Sequence, residues 1–573
     1  MKRAVLLVTL LLAAAGYVFL QTNSPGPRLA TLMPSGALLY LETPDFGRLL
    51  RDWDGSRVKA DWLESANYAE FSRSNLFSKL GEVYGQYGEA AGLQPGLRSV
   101  IEIAGTESAL ALYGIRDVEF LYVSRIADGA LMKSQLWAVR DKFEQRQAGG
   151  VAFYLRSDPA SQRTVAFAFV KGYLFLATRD DLVAQALELL AGGSNPSIAA
   201  DRWYREPAAA APNAGELRLV MNLESLVKSV YFRSYWVQRN TSAIRPYWAG
   251  LADVTRSDAA ITESRVFLRT PGSAQPVPAP VESLLALVPP EAGLYKAWGV
   301  GQAAPPATDA ASLIVQKLIG QEPQRSSDWR ESPFAISPDS QAGTEGDLET
   351  RIDEQPLPAG AGISDSVAAV RAMVDRGGAR ALLLVQSTAP AAGTFVEMPA
   401  AVVVEGTGDW DGDTVRNSLA AAAGKLWTTS QLGAGWASAT AGSHPVERLD
   451  GLGTLFFATR GPLLFLANDS ALLAAILDRA GSAAGSGSLT YAAGFRHSRE
   501  GANFERVMAA LDFTSAVDRS GFGLVGRASS APPFFSGNIA SLGRVLSPIP
   551  EIRVTEEERA NATVQNVHYL LGR

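Results

Sequence analysis

Twenty-seven residues beginning at Thr164, TVAFAFVKGYLFLATRDDLVAQALELL, return without a gap at Thr454 as TLFFATRGPLLFLANDSALLAAILDRA, 290 positions later and with 10 identities. Two unrelated apolar segments of this composition would share roughly three. The chain must therefore build the same local structure twice. The register continues outward, because NLESLV at Asn222 meets DFTSAV at Asp512 at the same separation. Upstream, LMPSGALLY at Leu32 resembles LVPPEAGLY at Leu287 at a separation of 255, so the second copy carries 35 extra residues. Residues 302–362, rich in Ala, Pro, Ser, Gly and Asp, are the natural place for them and read mostly as a long loop. A period this long is a duplication, since solenoid repeats run to about 20–50 residues.

The repeated block has a definite local structure. TVAFAF and GYLFLAT are β-favouring runs separated by the hairpin-like pair Val170-Lys171, and the second copy separates its runs with Arg460-Gly461-Pro462. Leu182, Val183, Ala186, Leu187 and Leu190 form one helical stripe, and Leu472, Leu473, Ile476 and Leu477 repeat it. Thr178 and Asp180, matched by Asn468 and Ser470, are expected to cap these helices. Leu217, Leu219, Met221 and Leu223 alternate as the inner face of a half-buried strand. MPAAVVVEG at Met398 reads as a buried strand followed by a helix over 414–426, and ESRVFLRT and VQNVHYLL read as closing strands. The expectation is an α+β fold of two tandem homologous modules, each a mostly antiparallel sheet with helices packed on one face. The division is 1–28 as a signal or anchor helix and spacer, 29–270 as the first module, 271–280 as a Pro-rich linker, and 281–573 as the second.

Composition narrows the function. The 573 residues are 47% hydrophobic and 19% charged, enough for a sizeable core, and a net charge of −6 argues against a general nucleic-acid binder. The absence of cysteine removes disulfides, thiolate metal sites and cysteine nucleophiles. Lys2 and Arg3 precede an uncharged apolar run over residues 4–20. That arrangement predicts a membrane anchor or a cleaved signal, with the remainder outside the cytoplasm. The expected location is the bacterial cell envelope, either single-pass and membrane-anchored or periplasmic or secreted.

No catalytic, cofactor or metal site emerges. GFGLVG at Gly521 matches a dinucleotide pattern, but the following RASSAPPFFSG cannot open the helix that such a site needs. GDWDGD at Gly408 spaces Asp409, Asp411 and Asp413 like a calcium loop, yet Thr414 and Ala420 stand where Gly and a carboxylate are required. An N-cap turn before a helix explains it better. His444, His497 and His568 are the only histidines, and no G-x-S-x-G elbow accompanies them.

The aromatic segments are the one feature pointing to a ligand. Tyr231, Phe232, Tyr235 and Trp236 follow the repeated NLESLV, and Phe534 and Phe535 follow DFTSAV. Core packing is their ordinary role, and contact with an apolar ligand or membrane is the sharper one.

The opening MPSGALLYLETPDFGRLLRDW, with the duplicated strand–helix block, resembles a family of uncharacterised exported bacterial proteins, a domain of unknown function. The resemblance implies an envelope location and a duplicated α+β fold, and carries no catalytic residue. The expected function is a non-enzymatic binding or scaffolding module with an envelope protein or lipid partner. A carrier or chaperone for a lipid or other apolar ligand is the alternative, and a hydrolase with a dispersed active site the second alternative.

Overall fold

The computed structural model describes residues 28–229, 244–272, 276–300, 310–320, 365–387, 399–427, 433–481, 487–501, 543, 545–546 and 548–572, apart from 74 and 95. These form two compact units, one of residues 28–47 and 84–205, the other of 48–83 and 206–572.

The first unit contains β1 (Leu39–Thr43), β2 (Glu107–Gly114), β3 (Glu119–Arg125), β4 (Glu144–Ala148), β5 (Val151–Ser157), β6 (Thr164–Val170) and β7 (Tyr173–Ala177). All pair antiparallel, in the order β4-β5-β6-β7-β3-β2-β1. The β6–β7 turn is Lys171-Gly172, with φ of 52° and 77°, one residue beyond the pair read from sequence. Val170, β-branched, stays in the strand opposite Tyr173, and the left-handed positions fall where glycine can take one of them. The Asp180–Leu190 helix buries Leu182, Val183, Ala186 and Leu187, as its stripe requires.

Thr178 does not cap that helix. Its N–H donates to the Phe120 carbonyl at 3.1 Å and its Oγ1 accepts from the Phe120 N–H at 2.9 Å, so it prolongs the β3–β7 ladder by one rung. Asn468 does the same in the second unit, donating to the Ala400 carbonyl at 3.1 Å and accepting from the Ala400 N–H at 2.7 Å. There the helix Ser470–Leu477 is capped by Asp469, whose carboxylate accepts from the Leu472 N–H.

The second unit contains β8 (Leu217–Met221), β9 (Tyr247–Arg256), β10 (Ala260–Arg269), β11 (Leu294–Gly299), β12 (Ala381–Gln386), β13 (Ala400–Glu405) and β14 (Gly435–Ala441). It continues with β15 (His444–Asp450), β16 (Thr454–Arg460), β17 (Leu463–Ala467), β18 (Tyr491–Phe495), β19 (Glu551–Arg559) and β20 (Ala562–Leu570). The antiparallel order is β8-β9-β10-β20-β19-β18-β11-β12-β13-β17-β16-β15-β14. Its run β14-β15-β16-β17-β13-β12-β11 has the order found in the first unit. The two closing strands, β10 and β20, pair with each other, Ser264 opposite Asn566. The molecule is thus α+β, with antiparallel sheet throughout the described strand pairs.

Two details depart from the sequence reading. Helices cover both faces of the second unit's sheet, not one. Leu382, Leu384, Val402 and Val404 pack into a cluster with the helices Asp365–Arg376 and Gly412–Trp427. Their strand neighbours Leu383, Val385, Ala401 and Val403 pack into another with Glu282–Leu285 and Ser470–Leu477. Successive strand residues point to opposite faces, so β12 and β13, buried at every position, need cover on both sides. The second departure is β8, which buries Arg218 and Val220 and leaves Leu217, Leu219 and Met221 half-buried. Arg218 turns inward because Asp253, on β9, meets it with two hydrogen bonds of 2.8 Å.

Within the segment read mostly as a loop, residues 310–319 form the helix Ala310–Ile314 and a π-helical turn Val315–Ile319, whose apolar residues join the core. The rest of 302–362 lies outside the described residues.

Candidate functional site

The helix Asn75–Ala91 presents Tyr84, Tyr87, Gly88 and Ala91 along one stripe, spaced by one and two turns. Two aromatic rings stand beside two residues with almost no side chain. Opposite them the sheet of the first unit raises Leu110, Phe120, Tyr122, Val165 and Leu176. Gly88 and Ala91 cannot reach across, so a pocket of about 330 Å³ remains, closed further by Val100, Ile103 and Leu136. Tyr84, in the lining, is 47% exposed.

The lining is almost wholly apolar, and its few polar atoms are held. The Tyr122 hydroxyl meets Ser108 Oγ at 2.9 Å, and Ser99 Oγ donates to the Gly96 carbonyl at 2.8 Å. Burial pushes the Tyr122 phenol above its ordinary range, so it stays neutral. One end is more polar. There the Tyr87 hydroxyl donates to the Asp117 carbonyl at 2.8 Å, and Thr178 is tethered to Phe120 as described above. Arg163 stacks on the Tyr87 ring, its guanidinium carbon 5.2 Å from the centroid. Burial is the main cause raising the Tyr87 phenol, and Arg163 opposes it.

None of the residues singled out from the sequence as ligand, metal or catalytic candidates lines this pocket, although Thr178, read as a helix cap, does. Tyr231, Phe232, Tyr235, Trp236, Phe534 and Phe535 lie outside the described residues, as do GFGLVG and the apolar run 4–20. Among the described residues no helix is long and apolar enough to cross a membrane, and no acidic or histidine cluster suits a metal ion. In the GDWDGD turn, Asp411 caps the following helix by accepting from the Thr414 N–H at 3.1 Å. His444 has both ring nitrogens engaged, with Asp478 at 2.7 Å and Arg460 at 2.8 Å, which leaves none for a nucleophile. His568 Nδ1 meets Thr262 Oγ1 at 3.2 Å across β10 and β20. The sequence trace of the pocket is the run GEVYGQYGEAAG at Gly81, whose small residues border space only once the strands opposite are known.

No family model and no curated protein matches the chain. Among solved structures it is similar to TP0453, a Treponema pallidum protein of uncharacterised function. One crystal form gives 11% identity and a TM-score of 0.25, covering 42% of this chain and 77% of TP0453. Another gives 13% identity and a TM-score of 0.25, covering 46% and 87%. The likeness is one of fold only.

Proposed function

We propose that this chain is a non-catalytic binding protein of the bacterial envelope, anchored or exported through residues 4–20, that holds one apolar chain in the pocket of its first unit. It is further proposed to be two copies of one α+β module.

The observation that carries this reading is a comparison of equivalent positions. The five strand residues that line the pocket have counterparts in the matching ladder of the second unit. Leu110, Phe120, Tyr122, Val165 and Leu176 correspond by register to Leu384, Ala400, Val402, Leu455 and Leu466. All five counterparts are buried, in one cluster with Ile314, Leu318, Met373, Leu419 and Trp427 among others, whereas Leu110, Phe120 and Leu176 are only half-buried. The ladder therefore does not by itself leave these positions uncovered, and protein interiors otherwise pack to crystal density. Positions left half-covered around a pocket in one unit and buried in the other support a role for the space itself. At roughly 30 Å³ per methylene, about the share of one water in the liquid, 330 Å³ takes a chain on the order of eleven carbons. Without polar groups placed for bond-making, the site suits retention better than chemistry.

The test is solvent extraction of the full-length protein purified from its native envelope, with mass spectrometry of the extract, followed by titration of the stripped protein with a fluorescent acyl probe. A near-stoichiometric acyl compound and saturable probe binding that Val165→Phe abolishes are expected. A protein free of such compounds that also fails to bind the probe would overturn the reading, and a specific protein partner recovered instead would favour the scaffold.

A further inference from the structure

The pocket has two unlike ends. Away from Tyr87 the lining polar atoms are neutral and already bonded to one another. At the Tyr87 end a guanidinium stands just outside the lining, over the ring of Tyr87. Arg163 donates from Nε to Gln86 Oε1 at 3.0 Å and from Nη1 to the Asp117 carbonyl at 2.9 Å, while its plane lies on the Tyr87 ring. Both acceptors are neutral, and among the described ion pairs none involves Arg163. The Asp117 carboxylate is felt by Tyr87 but makes no ion pair with Arg163 among those described. Tyr87 sits one helical turn from the exposed Tyr84, so the cation stands by the solvent-exposed part of the lining.

Two other basic groups approach the same helix and differ in kind. Arg156 donates to the Glu89 carbonyl at 3.1 Å, and Lys142 lies with it against Gly92. Both complement the last turn of Asn75–Ala91, where unpaired carbonyls and the negative end of the dipole attract cations. Arg163 has no such helix end to serve. Its charge-assisted hydrogen bonds would be roughly twice as strong to an anionic oxygen as to the carbonyls it now holds.

We infer that the occupant of the pocket is an amphipathic anion, a single acyl chain ending in a carboxylate or phosphate, with its chain against Val165 and Leu176 and its head group on Arg163. This rests on the proposed apolar-chain function and adds the head group to it. The arrangement follows the usual design of ligand sites, an apolar body with a few convergent polar groups that set orientation. Arg suits it better than Lys would, because its planar fork can hold a carboxylate or phosphate while still stacked on an aromatic face.

The test uses the stripped full-length protein and three probes of equal chain length, dodecanoate, dodecanol and dodecyl phosphate, each competing with a fluorescent acyl reporter. Dodecanoate or dodecyl phosphate should bind at least tenfold more tightly than dodecanol. Arg163→Gln should remove most of that advantage and leave dodecanol unchanged, and Arg163→Lys should retain part of it. Asp117→Asn, which removes the neighbouring negative charge, should tighten binding of the anions alone. A preference for dodecanoate points to a free fatty acid, and a preference for dodecyl phosphate to a phospholipid. If all three probes bind equally and Arg163→Gln weakens none selectively, the head-group assignment is wrong while the apolar pocket stands. If none binds, both fall together.

Discussion

Val165→Phe and Leu455→Phe make a matched pair, since the two residues occupy equivalent positions on β6 and β16 and both are buried. Val165 borders the pocket, and its replacement adds four carbons facing open space. At roughly 0.8 kcal/mol per buried carbon the gain is about 3 kcal/mol. Rotamer strain of about 1–3 kcal/mol offsets part of it. The net expectation is stabilisation of about 0–2 kcal/mol, with β-propensity unchanged because valine and phenylalanine both favour strands. Leu455 is wholly buried in a hydrophobic cluster, so the same ring there is expected to be overpacked and to destabilise by about 1–3 kcal/mol. Because the chain forms two compact units, a single global melting curve would blur the comparison. Native-state hydrogen exchange of the β6 and β16 amides reads each locally. The opposite signs are the prediction. If Val165→Phe lowers protection in β6 as much as Leu455→Phe lowers it in β16, the space beside Val165 is not available and the case for a ligand there collapses.

The buried pair Arg218–Asp253 gives a second prediction. Asp253→Asn should lose about 3–5 kcal/mol of local stability around β8 and β9, because a desolvated guanidinium is left without its counter-charge, while Arg218→Met with Asp253→Leu should be close to neutral. Equal losses in the single and double variants, measured by exchange in β9, would refute it. Glu556 gives a third, since burial is the main cause raising its carboxyl above the ordinary range, with Gln565 opposing. The folded state then holds a proton that the unfolded state has released, so this group's contribution is full below the unfolded pKa and is lost as pH rises through the folded one. Glu556→Gln should flatten that decline in a pH series of denaturation midpoints, and an unchanged slope would count against it.

What could be read from the sequence was local. The 164–177 and 454–467 hairpins and the helices after them came through because strand alternation and the helical stripe act over a few residues, and no distant partner contradicts them. Thr178 was misread for the complementary reason. Its position ahead of a helix suggested a cap, but its partner is Phe120, 58 residues earlier in sequence. Arg218 and the β8 face were misread likewise. Periodicity counts apolar residues and cannot register that Asp253, 35 residues away, makes the inward arginine affordable.

The pocket was illegible for a deeper reason. A void is defined by side chains that fail to meet, and Gly88 and Ala91 look unremarkable until the strands opposite them are known. Comparing the strand positions would not have exposed it: Leu110 and Leu176 match Leu384 and Leu466, and the larger Phe120 and Tyr122 match the smaller Ala400 and Val402, the opposite of what space beside the first set suggests. The cover differs as well. Residues 310–319 and the helices Asp365–Arg376 and Gly412–Trp427 cover the face in the second unit, and the sequence repeat runs through the strands and the helices after them, not through these segments. If the two units are copies of one module, as proposed, they diverged in the helices over a retained sheet. The same logic says where a ligand specificity could be changed without unfolding the protein: at Tyr84, Tyr87, Gly88 and Ala91, on a helix that borders the space, rather than on the strands that both copies need.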